Sequence, residues 1–256
     1  MTTHAELADL NFAEMCRAIS RNSGGRALDV DGLLLWSGTH PSPALINGVI
    51  RTRGAAPPAR EVLAIADAWF GEIGHSYSLH VRIGRDDDLV ALAGELGLHA
   101  IINLPVMVWE GRLPEVHVPE GYNLRRVEST AELRDYIDAV AEPFEMLDEI
   151  PTVFARPESI LAPFTGAVLV RDPHGRPVAG AWTHVSHGVA GVGFVGTLAH
   201  ERGRGLGRAA TWGAMHLGFE MGATIAALQA SPMGLPVYRR MGYVEVGEYR
   251  IYAREH

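Results

Sequence analysis

Apolar positions near the N-terminus recur at helical spacing: Leu7, Leu10, Met15 and Ile19 predict an amphipathic helix over 5–20, stopped by Gly24-Gly25. Short apolar runs at 32–36 and 45–50 then predict strands. Pro57-Pro58 opens a helix that runs to 73 and stops at Gly74, because proline is tolerated where the first-turn N–H groups have no partner. Alternation over 77–83 predicts a strand. Asp87 or Asp88 caps a helix to 96 that ends at Gly97, and 99–109 is a strand with a break expected at Pro105. The stretch 113–121, with two prolines and a glycine, reads as a linker.

After the linker the pattern starts again. Residues 122–127 predict a short strand, and Ser129 with Glu132 forms a capping box for the next helix. The stretch 142–163 is helical in part and interrupted by prolines. Strands follow at 167–171 and 178–185, joined by the turn Asp172-Pro173-His174-Gly175-Arg176, and then at 189–198. A helix over 206–221, a strand over 224–229, a helix over 235–241 and a strand over 243–252 complete the chain. Gly74 and Gly97 in the first half are echoed by Gly222 and Gly242 in the second. This suggests a diverged internal repeat with units 1–118 and 119–256; helix C-caps alone would also account for the glycines.

Composition narrows the chemistry. The chain of 256 residues is 47% hydrophobic and 20% charged, enough apolar surface for a core. Its formal charge is −8, which argues against a nucleic-acid partner. A single cysteine, Cys16, forbids an internal disulfide, and no apolar run is long enough to suggest a leader or a membrane span. A cytoplasmic protein without a membrane partner is expected. All 22 basic residues counted as Lys or Arg are arginine. A phosphate loop of the G-x-x-x-x-G-K-S/T type and a Schiff-base enzyme both need a lysine, so both are excluded.

The densest chemistry lies between Thr197 and Thr211, where a strand runs through Arg202-Gly203-Arg204-Gly205-Leu206-Gly207-Arg208 into a helix N-terminus. Outward backbone N–H groups and the helix dipole favour an anion there, and glycines admit close approach. Three arginines add charge, and the whole suits a pyrophosphate. A dinucleotide fingerprint counted from Gly205 places Ala210 at its third small position. No acidic residue ends the following strand, however, which leaves a nicotinamide oxidoreductase as the weaker reading.

Arg202-x-x-Gly205-x-Gly207 resembles the R/Q-x-x-G-x-G/A signature of the GNAT superfamily of N-acetyltransferases. Ser231-Pro-Met-Gly234-Leu-Pro-Val-Tyr238-Arg-Arg-Met-Gly242-Tyr243 resembles its second signature, N-x-x-A-x-x-x-Y-x-x-x-G-F/Y, with Ser231 in place of asparagine and Gly234 in place of alanine. The resemblance covers residue 122 to the C-terminus. It implies an α/β (α+β) fold with a mixed, mostly antiparallel sheet flanked by helices, here in tandem, and acetyl-CoA as donor without a metal. By the same resemblance, Arg202, Gly203, Arg204, Gly205, Leu206, Gly207 and Arg208, with the Thr211 hydroxyl, would hold the CoA pyrophosphate. Val195, Gly196 and Thr197 would pair with the pantetheine arm, Ser231 would contact the cofactor, and Tyr238 would protonate the leaving thiolate.

Many members of that superfamily carry a carboxylate base on the strand before the loop; 189–198 has none. Glu145 and Glu149, within the acidic group Glu142, Glu145, Asp148 and Glu149, are the candidate bases and suggest a cationic acceptor. His184 and His187 are further candidates. His184-x-x-His187 alone does not make a metal site. The implied partner is a small-molecule or peptide amine, and a homodimer is left open. A non-catalytic acyl-CoA sensor or interaction module is the competing function. In the first half, the counterpart of the phosphate loop, 51–58, lacks G-x-G and carries prolines without amides, and Ala93 stands where Tyr238 would. This half is expected to bind no CoA.

Overall fold

A computed structural model describes residues 2–43, 45–52, 57–160 and 162–254, the backbone alone at 158 and 159. The elements are α1 (His4–Ser23), β1 (Arg26–Val30), β2 (Leu33–Ser37), β3 (Asn47–Arg51), α2 (Ala59–Ile73), β4 (Tyr77–Arg82), α3 (Asp87–Glu95) and β5 (Ala100–Glu110), then β6 (Asn123–Arg126), α4 (Thr130–Phe144), α5 (Glu149–Val153), α6 (Pro157–Ile160), β7 (Thr165–Arg171), β8 (Pro177–Ser186), β9 (Val189–Thr197), α7 (Leu206–Glu220), β10 (Ile225–Gln229), α8 (Leu235–Arg240) and β11 (Val244–Arg254). The strands form one sheet in the order β1-β2-β3-β4-β11-β5-β10-β9-β8-β7-β6. It is mixed and mostly antiparallel; β3 with β4 and β9 with β10 run parallel.

The order is symmetric about the β11–β5 pair. Leftward, β1 to β3 lie antiparallel and α2 crosses to β4; rightward, β7 to β9 lie antiparallel and α7 crosses to β10. The last strand of each half has crossed over: β5 pairs with β10, and β11 with β4. The helix ends echo one another bond for bond. Leu98 N–H reaches Ala93 C=O and Gly97 N–H reaches Gly94 C=O, just as Tyr243 reaches Tyr238 and Gly242 reaches Arg239. Both glycines take positive φ, +68° and +89°, which a side chain would disfavour.

Alternate side chains along each strand divide the core between two faces. Leu34 and Trp36 of β2, Val106 and Val108 of β5, and Trp182 of β8 pack with α1, α4 and α5. On the other face, Leu33 and Leu35 pack with α2 and α3, and Met107 and Trp109 pack with α7 and α8. Among the described residues, no helix is long and apolar enough to cross a membrane.

Several expectations need correction. Leu10 is exposed; α1 buries the expected Met15 and Ile19 together with Ala8, Asn11 and Phe12. Pro105 does not break β5. It accepts from Ala230 N–H through its carbonyl and lies near the β11 bulge between Glu245 and Gly247, where the ladder is already irregular. The strand β1 was not expected at all: it is an exposed edge, held to α1 by the Arg17 guanidinium on Asp29. Within the first-half counterpart of the phosphate loop, Arg53 to Ala56 lie outside the described residues.

Candidate active site

The strand β9 starts beside β10 and leaves it. The two are in parallel register only from Val189 to Gly191, although β9 continues to Thr197. The cause is local. The β8–β9 register slips between Gly180/Gly196 and Trp182/Gly193, and Phe194 inside the slip takes a φ of +46°. This bulge bends β9 away, so the β10-facing edge of Val195, Gly196 and Thr197 has no strand partner among the described residues. An extended, hydrogen-bonding ligand arm fits such a gap.

Beyond Thr197 the chain makes a 3-10 turn over Ala199–Glu201 and then the glycine loop. Gly203 and Gly205 are left-handed, with φ of +78° and +84°. Gly205 is the N-cap of α7, and no side chain among the described residues caps that helix. The amides of Leu206, Gly207 and Arg208 therefore have no intrahelical acceptor and offer three donors at the positive end of the dipole. A Cβ on Gly207 would stand 3.1 Å from Thr197 Oγ1, so the glycine lets the helix start tight against the strand end. Arg202 Nε donates to Thr197 C=O at 3.2 Å, and Arg208 is exposed. Arg204 is not free: its Nε lies 3.3 Å from Glu201 Oε2, which also accepts from the Tyr122 hydroxyl at 2.6 Å.

Two expected ligand groups have partners within the protein. Thr211 is fully buried; its hydroxyl donates to Gly207 C=O at 2.8 Å and lies beside Tyr238 rather than in the anion seat. Ser231 is exposed, but its Oγ accepts from Gly234 N–H at 3.1 Å and closes the turn into α8. Tyr238 on α8 is 9% exposed, with its ring centroid 5.8 Å from that of Tyr243. Burial pushes its phenol up to about 12, opposed by the hydrogen bond with Thr211. A Cβ on Gly234 would stand 2.7 Å from Tyr238 Cε2, which explains glycine where alanine is the commoner residue of the signature.

The acidic group lies on the other face. Glu145 is the exposed left-handed C-cap of α4, and half-buried Glu149 accepts from Ser42 Oγ at 3.4 Å. Aromatic rings fill the space between this segment and the bulge, with Phe154 to Phe194 at 5.3 Å and Phe144 to Phe194 at 6.0 Å. The structure therefore does not bring Glu145 or Glu149 to Tyr238. His184 is buried beside Trp182; burial first and Arg21 second push it down to about 4, so it is neutral at pH 7. His187 sits in the β8–β9 turn at a φ of +52°. Among the described residues, no three metal-ligating side chains converge.

The first half shows the same crossover filled differently. At the N-terminus of α2, Asp88 Oδ2 accepts from Ala59 N–H at 3.0 Å, while Arg51 Nη1 and Nη2 grip both its oxygens at 2.6 and 2.8 Å. A protein carboxylate occupies the end of the helix that an anion would take. The parallel register of β3 and β4 extends to Ile50, one residue short of the end of β3, so no splay opens. Sequence reasoning missed Tyr122, Glu201 and the Asp88–Arg51 pair, since nothing in the residue types alone says that these groups meet.

No family model and no curated protein matches the chain. Solved structures do. A GCN5-related N-acetyltransferase from Kribbella flavida is 24% identical over 95% of each chain, with a TM-score of 0.69. One from Sphaerobacter thermophilus is 15% identical, covering 98% of this chain and 93% of its own, with a TM-score of 0.65. A tandem GNAT protein from the clavulanic acid biosynthesis pathway is 14% identical over 87% of this chain and 78% of its own, with a TM-score of 0.61.

Proposed function

We propose that this chain, whose fold is that of the GCN5-related N-acetyltransferases, moves the acetyl group of acetyl-CoA directly to an amine. One observation carries the reading. The α7 N-terminus, without a side-chain cap among the described residues, starts against the end of β9 at Gly207 and Thr197, where β9 has left β10, and Tyr238 lies against Thr211 of the same helix. The amides of residues 206–208 bind the diphosphate. The backbone of Val195 to Thr197 pairs with the pantetheine amides and orients the thioester. The amine attacks the carbonyl carbon; the C–N bond forms, the C–S bond breaks, and the electron pair leaves on sulfur.

Tyr238 donates its hydrogen bond to that sulfur as charge develops. The amine's surplus proton leaves to solvent; Glu145 and Glu149, separated from Tyr238 by the Phe144, Phe154 and Phe194 rings, would act only at a distance, by attracting a cationic acceptor. The first half, residues 1–118, acts as a degenerate partner of 119–256: Asp88 holds its anion seat and Ala93 stands in place of Tyr238. A single, buried Cys16 suits a cytoplasmic setting.

The competing reading, an acyl-CoA sensor, is favoured by one fact: β9 carries no carboxylate to act as base. Titration calorimetry with CoA tests the shared part, with one site per chain expected and two sites or none overturning it. An amine screen with thiol release as readout then separates enzyme from sensor.

A further inference from the structure

Glu201 presents a problem of sign. Its side chain is only 9% exposed, and it sits five to seven residues before the amides that would receive a diphosphate. A buried carboxylate is unfavourable by itself, and its charge opposes an anionic ligand nearby. The loop nevertheless builds on it. Tyr122, at the end of the segment joining the halves, donates its hydroxyl to Oε2 at 2.6 Å, and Arg204 Nε comes to 3.3 Å of the same oxygen. The proximity of both Glu201 and Arg204 perturbs the Tyr122 phenol, the Glu201 hydrogen bond raising its pKa most.

Arg204 needs such a hold. It lies between two left-handed glycines, Gly203 and Gly205, and more than half of its side chain is exposed. Without a partner its guanidinium would sample many rotamers, and ordering it on binding would oppose affinity. The contact with Glu201 uses part of a rigid fork of five donors and leaves the remainder for phosphate oxygens.

We infer that Glu201, locked by Tyr122, is a positioning residue that holds Arg204 in place for the diphosphate of the cofactor. The inference rests on the CoA reading of the α7 loop. It predicts an effect opposite to simple electrostatics. Neutralising a buried negative charge beside an anion seat should tighten CoA binding; releasing Arg204 should weaken it.

The experiment is calorimetric titration of the full chain with CoA at fixed ionic strength. Glu201→Gln is expected to weaken binding about tenfold, and Tyr122→Phe, which removes no charge, about threefold. Arg204→Ala also weakens it about tenfold. In the Arg204→Ala background, Tyr122→Phe loses its effect and Glu201→Gln no longer weakens binding. A purely structural role would lower affinity equally in both backgrounds, and a purely electrostatic one would raise it; either result overturns the inference. Should Glu201→Gln fail to fold, Tyr122→Phe with and without Arg204→Ala decides alone. Wild-type protein that binds no CoA overturns the functional reading and this inference together, whereas normal wild-type binding without the coupling overturns the inference only.

Discussion

Tyr238 keeps its proton across the whole neutral range, because burial places its phenol at about 12. A CoA-type thiol ionises near 8.5, so full transfer from this phenol to the thiolate is uphill by about 3.5 pH units. The group therefore serves mainly as a hydrogen-bond donor to developing charge, a role whose removal lowers rates by roughly 100-fold. Tyr238→Phe is expected to bind CoA with nearly unchanged affinity while acetyl transfer falls about 100-fold, as read by thiol release; equal loss of binding would contradict the assignment. His184 gives a second prediction of defined sign. The folded chain takes up this proton only near pH 4, the unfolded chain near 6.5. Its stabilising contribution is present above pH 6.5 and is lost as pH falls toward 4, roughly 3 kcal/mol in all. Thermal unfolding should show the wild-type melting temperature dropping between pH 7.5 and pH 5, and His184→Phe should flatten that drop whatever it does to absolute stability.

At the scale of elements, glycines on β9 and in the loop after it do different work. Gly191 lies under α1, where a Cβ would stand 2.0 Å from Asn11 Oδ1 and 2.4 Å from Met15 Sδ. Asn11 cannot turn aside, since its amide donates to His184 C=O, Ser186 Oγ and Val189 C=O. Gly191→Ala should destabilise the chain by about 1–3 kcal/mol, seen as a melting-temperature loss of several degrees. Gly203 has open space around its would-be Cβ and a φ of +78°. Gly203→Ala should cost only about 1 kcal/mol of stability but weaken CoA binding about tenfold, because the methyl enters the space left for phosphate. The loop was legible in the sequence since its signal is local: glycine spacing, arginines and a helix start. The capping box at Ser129 and Glu132 was legible for the same reason, and the structure forms it. The edge strand β1 was not, because it buries neither face and so shows no alternation. Nor was the burial of Thr211, whose hydroxyl is taken by Gly207 C=O and lies beside Tyr238, 27 residues on.

The pairing of strands from distant parts of the chain is the least local feature of all, and the whole molecule depends on it. Nothing in 99–109 or 243–252 announces that each strand will join the other half's sheet. A one-residue pattern reports which face of a strand is buried, not which strand lies beside it. The consequence is physical. Residues 119–256 contain the glycine loop, the β9 bulge and Tyr238, but β10 is held on its outer side by β5, and β11 lies between β4 and β5. Without the first half, β10 becomes an open edge, β11 loses both neighbours, and Trp109 no longer covers Trp212 and Phe219. The isolated 119–256 fragment is therefore expected to be insoluble or unfolded by circular dichroism. A chain cut within the linker at 113–121 should behave differently, because that stretch lies outside every strand pairing. After cleavage at an inserted protease site, the two pieces should co-elute on gel filtration and bind CoA as the intact chain does. A soluble, CoA-binding 119–256 fragment would show that the exchanged strands are dispensable, and separation of the cut pieces would show that the sheet between them is weaker than its register implies.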